Sequence, residues 1–293
     1  MDFLSAIKSI AGEECIFCNE MMSDHTTFKV GGPAKYFVVP YRAEDIKKYI
    51  LAAEEYKIPY YVIGNGSNLL VSDKGYDGMI IMLGRDLGNI TVNGDRITAE
   101  AGTSLARLFN TARRHSLSGL EFAAGIPGTL GGACYMNAGA YGGEMKDVLT
   151  KVVTIDRQGN THEYKQGEME LSYRNSIFIR KQEIILSAEM KLCKGDVEKM
   201  TRKVNELLEK RKEKQPLEYP SAGSTFKRPE GDFAGRLIEE CGLKGKGVNG
   251  AEVSEKHAGF IINRNNATAR DIYDTINLVI DTVLEKTGIK LEP

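Results

Sequence analysis

The sequence predicts an α+β protein of two or three subdomains, and three observations carry that prediction. Apolar runs of strand length alternate with stretches of helical periodicity along the whole chain, and no internal repeat is apparent. With 293 residues and 42% hydrophobic side chains, the chain is long for one core and apolar enough to bury more than one. Two glycine-rich stretches, GNGSN at 64–68 and GIPGTLGGACYMNAGAYGG at 125–143, interrupt the pattern in the N-terminal half.

Taken in order, 34–39 reads as a strand and 43–56 as a helix with Ile46, Ile50 and Ala53 on one face. The apolar run 60–63 suits a buried strand leading into the first glycine stretch, and Leu69-Leu70-Val71 beyond it also reads as strand. Strands are expected at 79–82 and 97–99, after which Thr103 is placed to cap a helix reaching Arg114. Leu105, Leu108, Phe109 and Ala112 repeat at helical spacing within it. Short strands at 151–156, 161–164 and 184–192 surround the segment 172–178. Over 196–214, Val197, Met200, Val204, Leu207 and Leu208 keep helical spacing beneath a face of mixed Lys, Arg and Glu, which predicts a solvated helix.

Gln215-Pro216 ends that helix and marks a domain boundary. A small α+β unit follows, with a helix near 232–241, strands at 250–253 and 258–262, and a long helix after Thr268. Thr268 and Asp271 have the spacing of a capping box, Ile272, Ile276, Val279, Ile280 and Val283 form the buried stripe, and Gly288 ends the helix. The expected division is 1–84, 85–214 and 215–293.

Charge excludes some classes of partner. A net charge of −1 and a pI near 6.5 give no electrostatic footprint for nucleic acid or an anionic membrane. No apolar stretch has transmembrane length, and Met1-Asp2-Phe3-Leu4-Ser5 lacks the basic and apolar regions of a signal peptide, so a cytoplasmic location is expected. Cys15 and Cys18 form a C-x-x-C with no second pair or nearby His, and Cys134, Cys193 and Cys241 are scattered, which predicts free buried thiols and no metal site. Histidines 25, 115, 162 and 257 are equally dispersed.

The glycine stretches point to chemistry. Gly64, Asn65 and Gly66 tolerate the backbone angles at which successive amides converge on an anion, and Ser67 and Asn68 add side-chain donors. Leu69 stands where the dinucleotide fingerprint needs its third glycine, and no Gly-Lys-Ser/Thr is present, so neither the Rossmann nor the Walker motif applies. By itself 64–68 fits an ordinary tight turn. The second stretch holds seven glycines in nineteen residues among Ile126, Leu130, Met136 and Tyr141, which describes a packed loop rather than a linker. Pro127-Gly128-Thr129 can open a short helix whose free amides face an anion, or the stretch can be a tight helix–strand corner. Together the two favour a nucleotide-like cofactor, and glycines alone do not say which.

The ordered set GNGSN at 64, AGIPGTLGGACYMNAGAYGGE at 124, YRNSIF at 173, AGSTFKRP at 222 and a terminal LEP resembles the UDP-N-acetylenolpyruvoylglucosamine reductases, the MurB family, over nearly the whole chain. Fifty positions between Arg174 and Ser224 resemble the family's short, second type, which lacks an inserted substrate-covering loop. The resemblance implies a fold of the vanillyl-alcohol oxidase (PCMH-type) flavoprotein class, with non-covalent FAD across two subdomains and a third, C-terminal subdomain for substrate. It further implies that NADPH, as co-substrate, reduces FAD and that UDP-N-acetylglucosamine enolpyruvate is then reduced to UDP-N-acetylmuramate for peptidoglycan synthesis.

Cofactor contacts are expected from Gly64, Asn65, Gly66, Ser67 and Asn68 and from Gly125, Ile126, Pro127, Gly128 and Thr129. Hydride delivered to an enolpyruvyl group leaves negative charge at the adjacent carbon and its carboxylate. Arg174 suits that charge, since a guanidinium forks onto a carboxylate and stays ionised; its alternative role is a structural ion pair. Ser224 resembles the family's proton donor, although AGST alone describes a turn serine. Tyr141 matches a family tyrosine near substrate, and Lys227 and Arg228 are candidates for the diphosphate or solvated cations. The family's third catalytic group is a glutamate directly after Leu-Glu-Pro, one position beyond Pro293, and Glu292 is displaced from that place. The 293-residue form is therefore expected to bind FAD and to reduce the enolpyruvyl group poorly. The rival expectations are a flavin oxidase of the same fold, a non-catalytic nucleotide-binding module and a plain scaffold.

Overall fold

Two apolar clusters organise the computed structural model, which describes residues 2–293. The first unit comprises residues through Asn19, Lys35–Asn65 and Asp77–Glu209; the second comprises Glu20–Ala34, Gly66–Tyr76 and Lys210–Pro293.

In the first unit, helix α1 (Phe3–Ala11) is capped by the Asp2 carboxylate, which accepts from the Ser5 amide, and it buries Phe3 and Ile7. Phe3 meets Tyr36 edge-on and Tyr56 at a tilt, at ring centroid distances of 4.9 and 5.8 Å. Strands β1 (Ile16–Met21) and β2 (Pro33–Val38), helix α2 (Ala43–Glu55), and strands β3 (Tyr60–Ile63) and β4 (Tyr76–Met82) follow, the strands joining in the order β1-β2-β4-β3. β3 and β4 are parallel, with Tyr60 opposite Met79 and Ile63 opposite Met82. The loop between them is the first glycine stretch and its continuation.

A second sheet is antiparallel throughout. It contains β5 (Ile90–Asn93) and β6 (Arg96–Glu100), then, after helices α3 (Leu105–Arg114) and α4 (Leu130–Tyr135), β7 (Leu149–Ile155), β8 (Thr161–Lys165) and β9 (Ile184–Lys191) in the order β8-β7-β9-β6-β5. Ile97, Ala99, Val152, Ile155, Ala188 and Met190 are buried in this unit's cluster with Leu105, Leu108 and Leu130. The apolar positions of α5 (Val197–Lys214), Met200 and Val204, close that cluster.

The second unit carries α6 (Ala234–Glu240), a small antiparallel sheet of β10 (Gly247–Val248), β11 (Ala251–Val253) and β12 (Ile261–Asn263), and the long α7 (Ala269–Thr287). Both halves of the α7 capping box are made, and Gly288 closes the helix in the left-handed region at φ +74°. Ile272, Val279 and Val283 bury against Leu237, Ile238, Val253 and Ile261. Phe28 and Val30 belong to this core, Leu70 packs on it, and the Asn263 amide donates to the Phe28 carbonyl at 3.1 Å. The segments 20–34 and 66–76 therefore pack with residues far along the chain, a pairing that the expected three-part division did not contain; that division stays a proposal about subdomains.

Several local expectations need correction. Leu69–Val71 is irregular, not a strand; Leu70 packs on the second core, and the carbonyl of the neighbouring Ser72 accepts from the Gly32 amide at 2.8 Å. Ser104, not Thr103, caps α3, accepting from the Arg107 amide at 3.3 Å. Residues 258–260 form a turn before β12 rather than its first half, because the Phe260 amide donates to the His257 carbonyl.

Candidate active site

The first glycine stretch begins where β3 ends, and in the first unit it meets the second stretch directly. A Cβ built on Gly64 falls 2.2 Å from the Thr129 hydroxyl, and the Asn65 side-chain amide donates to the Pro127 carbonyl at 3.2 Å. Gly64, Asn65, Pro127 and Thr129 are thus brought together from positions more than sixty residues apart. Thr129 caps α4, which does open after Pro127-Gly128-Thr129. Its first amides are not free, however: Leu130 donates to the Thr103 carbonyl at 2.8 Å, Gly131 to Ala101 at 2.9 Å and Gly132 to the Thr129 hydroxyl at 3.5 Å. The anion-facing helix terminus expected from the sequence is satisfied by the protein itself.

Donors remain around it. The amides of Asn65, Gly125, Gly128 and Thr129 donate to no protein acceptor among the described residues. The Thr103 hydroxyl, on a residue 1% exposed, is buried with no partner among the described residues. An orphaned hydroxyl of this kind is costly unless a ligand meets it.

The chain passes into the second unit at Gly66, whose φ of +60° is left-handed and whose Cβ would fall 1.9 Å from the His25 carbonyl oxygen. Only glycine fits there. The Gly66 carbonyl accepts from the Thr27 amide at 3.2 Å, while the amides of Gly66, Ser67 and Asn68 have no protein acceptor among the described residues. Thr27 also carries a buried hydroxyl without a partner among the described residues. Each unit by itself thus pairs bare amides with a buried unsatisfied hydroxyl, donors of the kind a diphosphate accepts from, so the residues present fit FAD.

Arg174 belongs to the first unit. It sits in a tight turn in which Ser172 and Asn175 exchange both backbone hydrogen bonds at 3.1 Å, at a left-handed φ of +53°. Its guanidinium lies 5.3 Å from the Tyr173 ring centroid and reaches the Gly139 carbonyl at 3.5 Å. Among the described residues no carboxylate pairs with it, so the structural ion pair held open by the sequence is not made. Gly139 lies in a miniature hairpin, Gly139–Ala140 against Gly143–Glu144, whose two-residue turn is Tyr141 at φ +52° and Gly142 at +89°. Tyr141 is 47% exposed at that tip, so Arg174 and Tyr141 share one small substructure.

Two residues missed by sequence reasoning hold it. Buried Asn137 donates to Glu144 at 2.7 Å and to the Ser172 carbonyl at 3.0 Å, and accepts from the Lys146 amide at 2.9 Å. The Ser176 hydroxyl donates to the Tyr135 carbonyl at 2.7 Å. The signal was available, since Asn137 is a carboxamide inside a tract made mostly of glycine and apolar residues.

In the second unit, Ser224 follows Gly223, at φ +86°, and is exposed, its hydroxyl without a protein partner among the described residues. Its backbone bridges to Phe260, and the next residue, Thr225, donates from its amide to the Gly259 carbonyl at 2.8 Å and accepts the Ile261 amide on its hydroxyl at 3.2 Å. Lys227 is ion-paired with Glu292, whose carbonyl also accepts the Lys227 amide at 2.8 Å. Arg228 stacks 4.7 Å from the Phe233 ring centroid. A cavity of about 330 Å³ in this unit, lined by Lys29, Tyr219, Asn263, Arg264 and Asn266 among others, includes none of the expected site residues.

Comparison with known proteins agrees with this geometry. Residues 34–165 match an FAD-binding domain, and residues 215–293 match the C-terminal domain of UDP-N-acetylenolpyruvoylglucosamine reductase. The UDP-N-acetylenolpyruvoylglucosamine reductase of Caldanaerobacter subterraneus is 50% identical over 287 residues, covering 98% of this chain and 95% of that protein. The crystal structure of the Thermus caldophilus enzyme of that name superposes with a TM-score of 0.79 at 37% identity, covering 93% and 96% of the two chains. Phl p 4, a glucose dehydrogenase, shares the fold alone, with a TM-score of 0.52 at 14% identity over 67% of this chain and 45% of its own.

Fold and site thus define an FAD-dependent oxidoreductase with a PCMH-type cofactor-binding fold. Within that class, the chain belongs to the UDP-N-acetylenolpyruvoylglucosamine reductase family. Among the described residues no helix is long and apolar enough to cross a membrane.

Proposed function

We propose that the chain reduces UDP-N-acetylglucosamine enolpyruvate to UDP-N-acetylmuramate at the expense of NADPH, in the cytoplasm, as a step of peptidoglycan precursor synthesis. The observation that carries the catalytic assignment is the half-buried Arg174 guanidinium, held in a left-handed turn without a carboxylate partner among the described residues. A cation kept unpaired and fixed by its backbone is suited to an anion that arrives with substrate.

FAD, when bound, supplies the hydride it has taken from NADPH. Gly64, Asn65, Gly66, Ser67 and Asn68 would hold it with Gly125, Gly128 and Thr129, through the free amides and the Asn and Ser side chains, while Ile126, whose amide donates to the Ala123 carbonyl, and Pro127, which has no N–H, would contribute packing. Arg174 grips the substrate carboxylate and stabilises the negative charge that develops beside it as hydride reaches the terminal enolpyruvyl carbon. Ser224 gives its hydroxyl proton to the adjacent carbon, which completes the saturated ether, and its exposure lets water restore that proton. Tyr141 closes over the sugar, and Lys227 and Arg228 meet the diphosphate, Lys227 exchanging Glu292 for a phosphate oxygen. One substrate, one NADPH and one proton give one product and one NADP+.

An anaerobic absorbance trace tests this. NADPH should bleach the flavin band, and the enolpyruvyl nucleotide should restore it. Hydrogen peroxide produced from an alcohol substrate in air would overturn the assignment in favour of an oxidase, and a complete absence of recovery would overturn reduction of the enolpyruvyl group by this chain; slow recovery is what the missing carboxylate after Leu291-Glu292-Pro293 implies.

A further inference from the structure

The Ser224 hydroxyl has no hydrogen-bond partner of its own among the described residues, so its position is set by backbone, and that backbone is tied to the turn 257–260. An imidazole organises that turn. The Gly259 amide donates to His257 Nδ1 at 3.0 Å, the Phe260 amide to the His257 carbonyl at 3.0 Å, and the buried Ser254 hydroxyl accepts the Lys256 and His257 amides at 3.2 and 3.4 Å. Because an N–H points at Nδ1, that nitrogen is unprotonated and the ring proton lies on Nε2.

Two glycines make room for the ring. A Cβ on Gly259 would stand 3.0 Å from His257 Cε1, one on Gly235 would stand 3.4 Å from it, and the Phe260 ring packs on the imidazole edge-on at 5.0 Å. From this slot the connection to Ser224 is short: His257 Nδ1 holds the Gly259 amide, the Gly259 carbonyl holds the Thr225 amide at 2.8 Å, and Ser224 precedes Thr225.

We propose that His257 is a positioning residue for Ser224, holding the serine in proton-transfer geometry only while its Nδ1 is an acceptor. The proposal rests on the role given to Ser224 above. Protonation would turn Nδ1 into a donor facing another donor, releasing Gly259 and with it the Thr225 amide. Burial holds the imidazole below its ordinary 6.5 against the opposing pull of its own backbone carbonyl, with Lys244 nearby lowering it further and Glu239 opposing. Those two flanking groups are ion-paired to each other at 2.6 Å, and Lys256, on the turn itself, is engaged by the Lys212 carbonyl and Glu218.

Two variants separate positioning from folding. His257→Phe keeps a ring and removes the acceptor; His257→Asn keeps an acceptor able to reach an amide two residues on and removes the ring. Flavin bleaching by NADPH and recovery on substrate are timed separately. In His257→Phe bleaching should be unchanged and recovery slowed roughly 10–100-fold, with most of the rate retained in His257→Asn. Recovery in the parent protein should hold through the ordinary imidazole range and decline only on its acid side, as His257 protonates, and should not decline in His257→Asn. Independently of flavin, nitrogen NMR should show Nδ1 unprotonated at neutral pH, and the Thr225 amide should exchange faster in His257→Phe.

Unchanged recovery in His257→Phe, or an equal loss of both half-reactions in both variants, would overturn the proposal. If the parent protein itself is not reoxidised by substrate, the catalytic reading fails instead. Amide exchange at Thr225 then still decides whether His257 holds the Ser224 segment.

Discussion

The hydroxyl of Thr129 stands where a side chain on Gly64 would begin, 2.2 Å from the position of a built Cβ. Thr129 is 3% exposed and cannot swing away, so the end of β3 and the cap of α4 are fixed against each other through a missing methyl group. Gly64→Ala is expected to destabilise the protein by about 1–3 kcal/mol through overpacking and to weaken FAD retention. Thr129→Ala alone loses a long cap bond and is expected to cost about 0.5 kcal/mol. Combined, the two changes should be less damaging than their sum, because removing the hydroxyl opens the space the new methyl needs. Thermal unfolding and flavin content of the four proteins measure this, and strictly additive losses would refute the contact.

Arg174 trades stability for charge placement. A non-glycine residue at φ +53° is strained by about 1 kcal/mol, and this side chain recovers little, having only the Gly139 carbonyl at 3.5 Å and a neighbouring ring. Arg174→Gly is therefore expected to melt at or above the parent temperature while losing roughly 100–1000-fold in the rate of flavin recovery on substrate. Arg174→Lys keeps the charge without the fork and should fall between. A large drop in melting temperature for Arg174→Gly would show that the residue is structural.

The N-terminus of α7 is capped from nearly two hundred residues away. The Asp73 carboxylate accepts the Ala269 amide at 2.8 Å and the Arg270 amide at 2.9 Å, beside the helix's own Thr268–Asp271 box. Asp73→Ala is expected to cost about 1–2 kcal/mol, from two charge-assisted bonds and the lost interaction with the helix dipole. Since Phe28 and Val30 complete the same core, a fragment 215–293 should show no cooperative thermal transition. A cooperative melt of that fragment by circular dichroism would contradict the account.

What the sequence made legible was local. α7 could be read because its stripe, its cap pair and its closing glycine all lie within one segment and agree. Helix α1 was missed, its nine residues giving a short pattern beside the terminus, and β1 was missed because its residues are half-buried or exposed and do not alternate cleanly. Leu69–Val71 was misread because an apolar run records burial, and the half-buried Leu70 packs on a core built from distant residues rather than in a strand ladder. In the site, the glycine stretches were visible as such. Their meeting at Gly64 and Thr129, the unpartnered hydroxyls of Thr27 and Thr103, and the hold of Asn137 on Ser172 are non-local facts with no sequence periodicity to announce them.

The hairpin turn joining β7 to β8 gives a pH-dependent test of the first unit. Asp156 receives the amides of Gln158 at 2.9 Å and Asn160 at 2.8 Å and lies 2.8 Å from His162 Nε2, while Gly159 supplies the left-handed angle at φ +79°. The His162 contact above all, with those amides, holds the carboxyl at about 2, below its ordinary 3.8. A folded-state pKa below the unfolded value means that the folded protein binds fewer protons in that interval, so stability rises with pH across it. The contribution is therefore complete above 3.8 and lost as pH falls from 3.8 through about 2. Asp156→Asn should lower the melting temperature by roughly 2–4 °C at neutral pH. The gap from the parent should narrow through that interval and close below it. A gap that stays constant down to pH 2 would mean that the Asp156 charge contributes nothing to the hairpin.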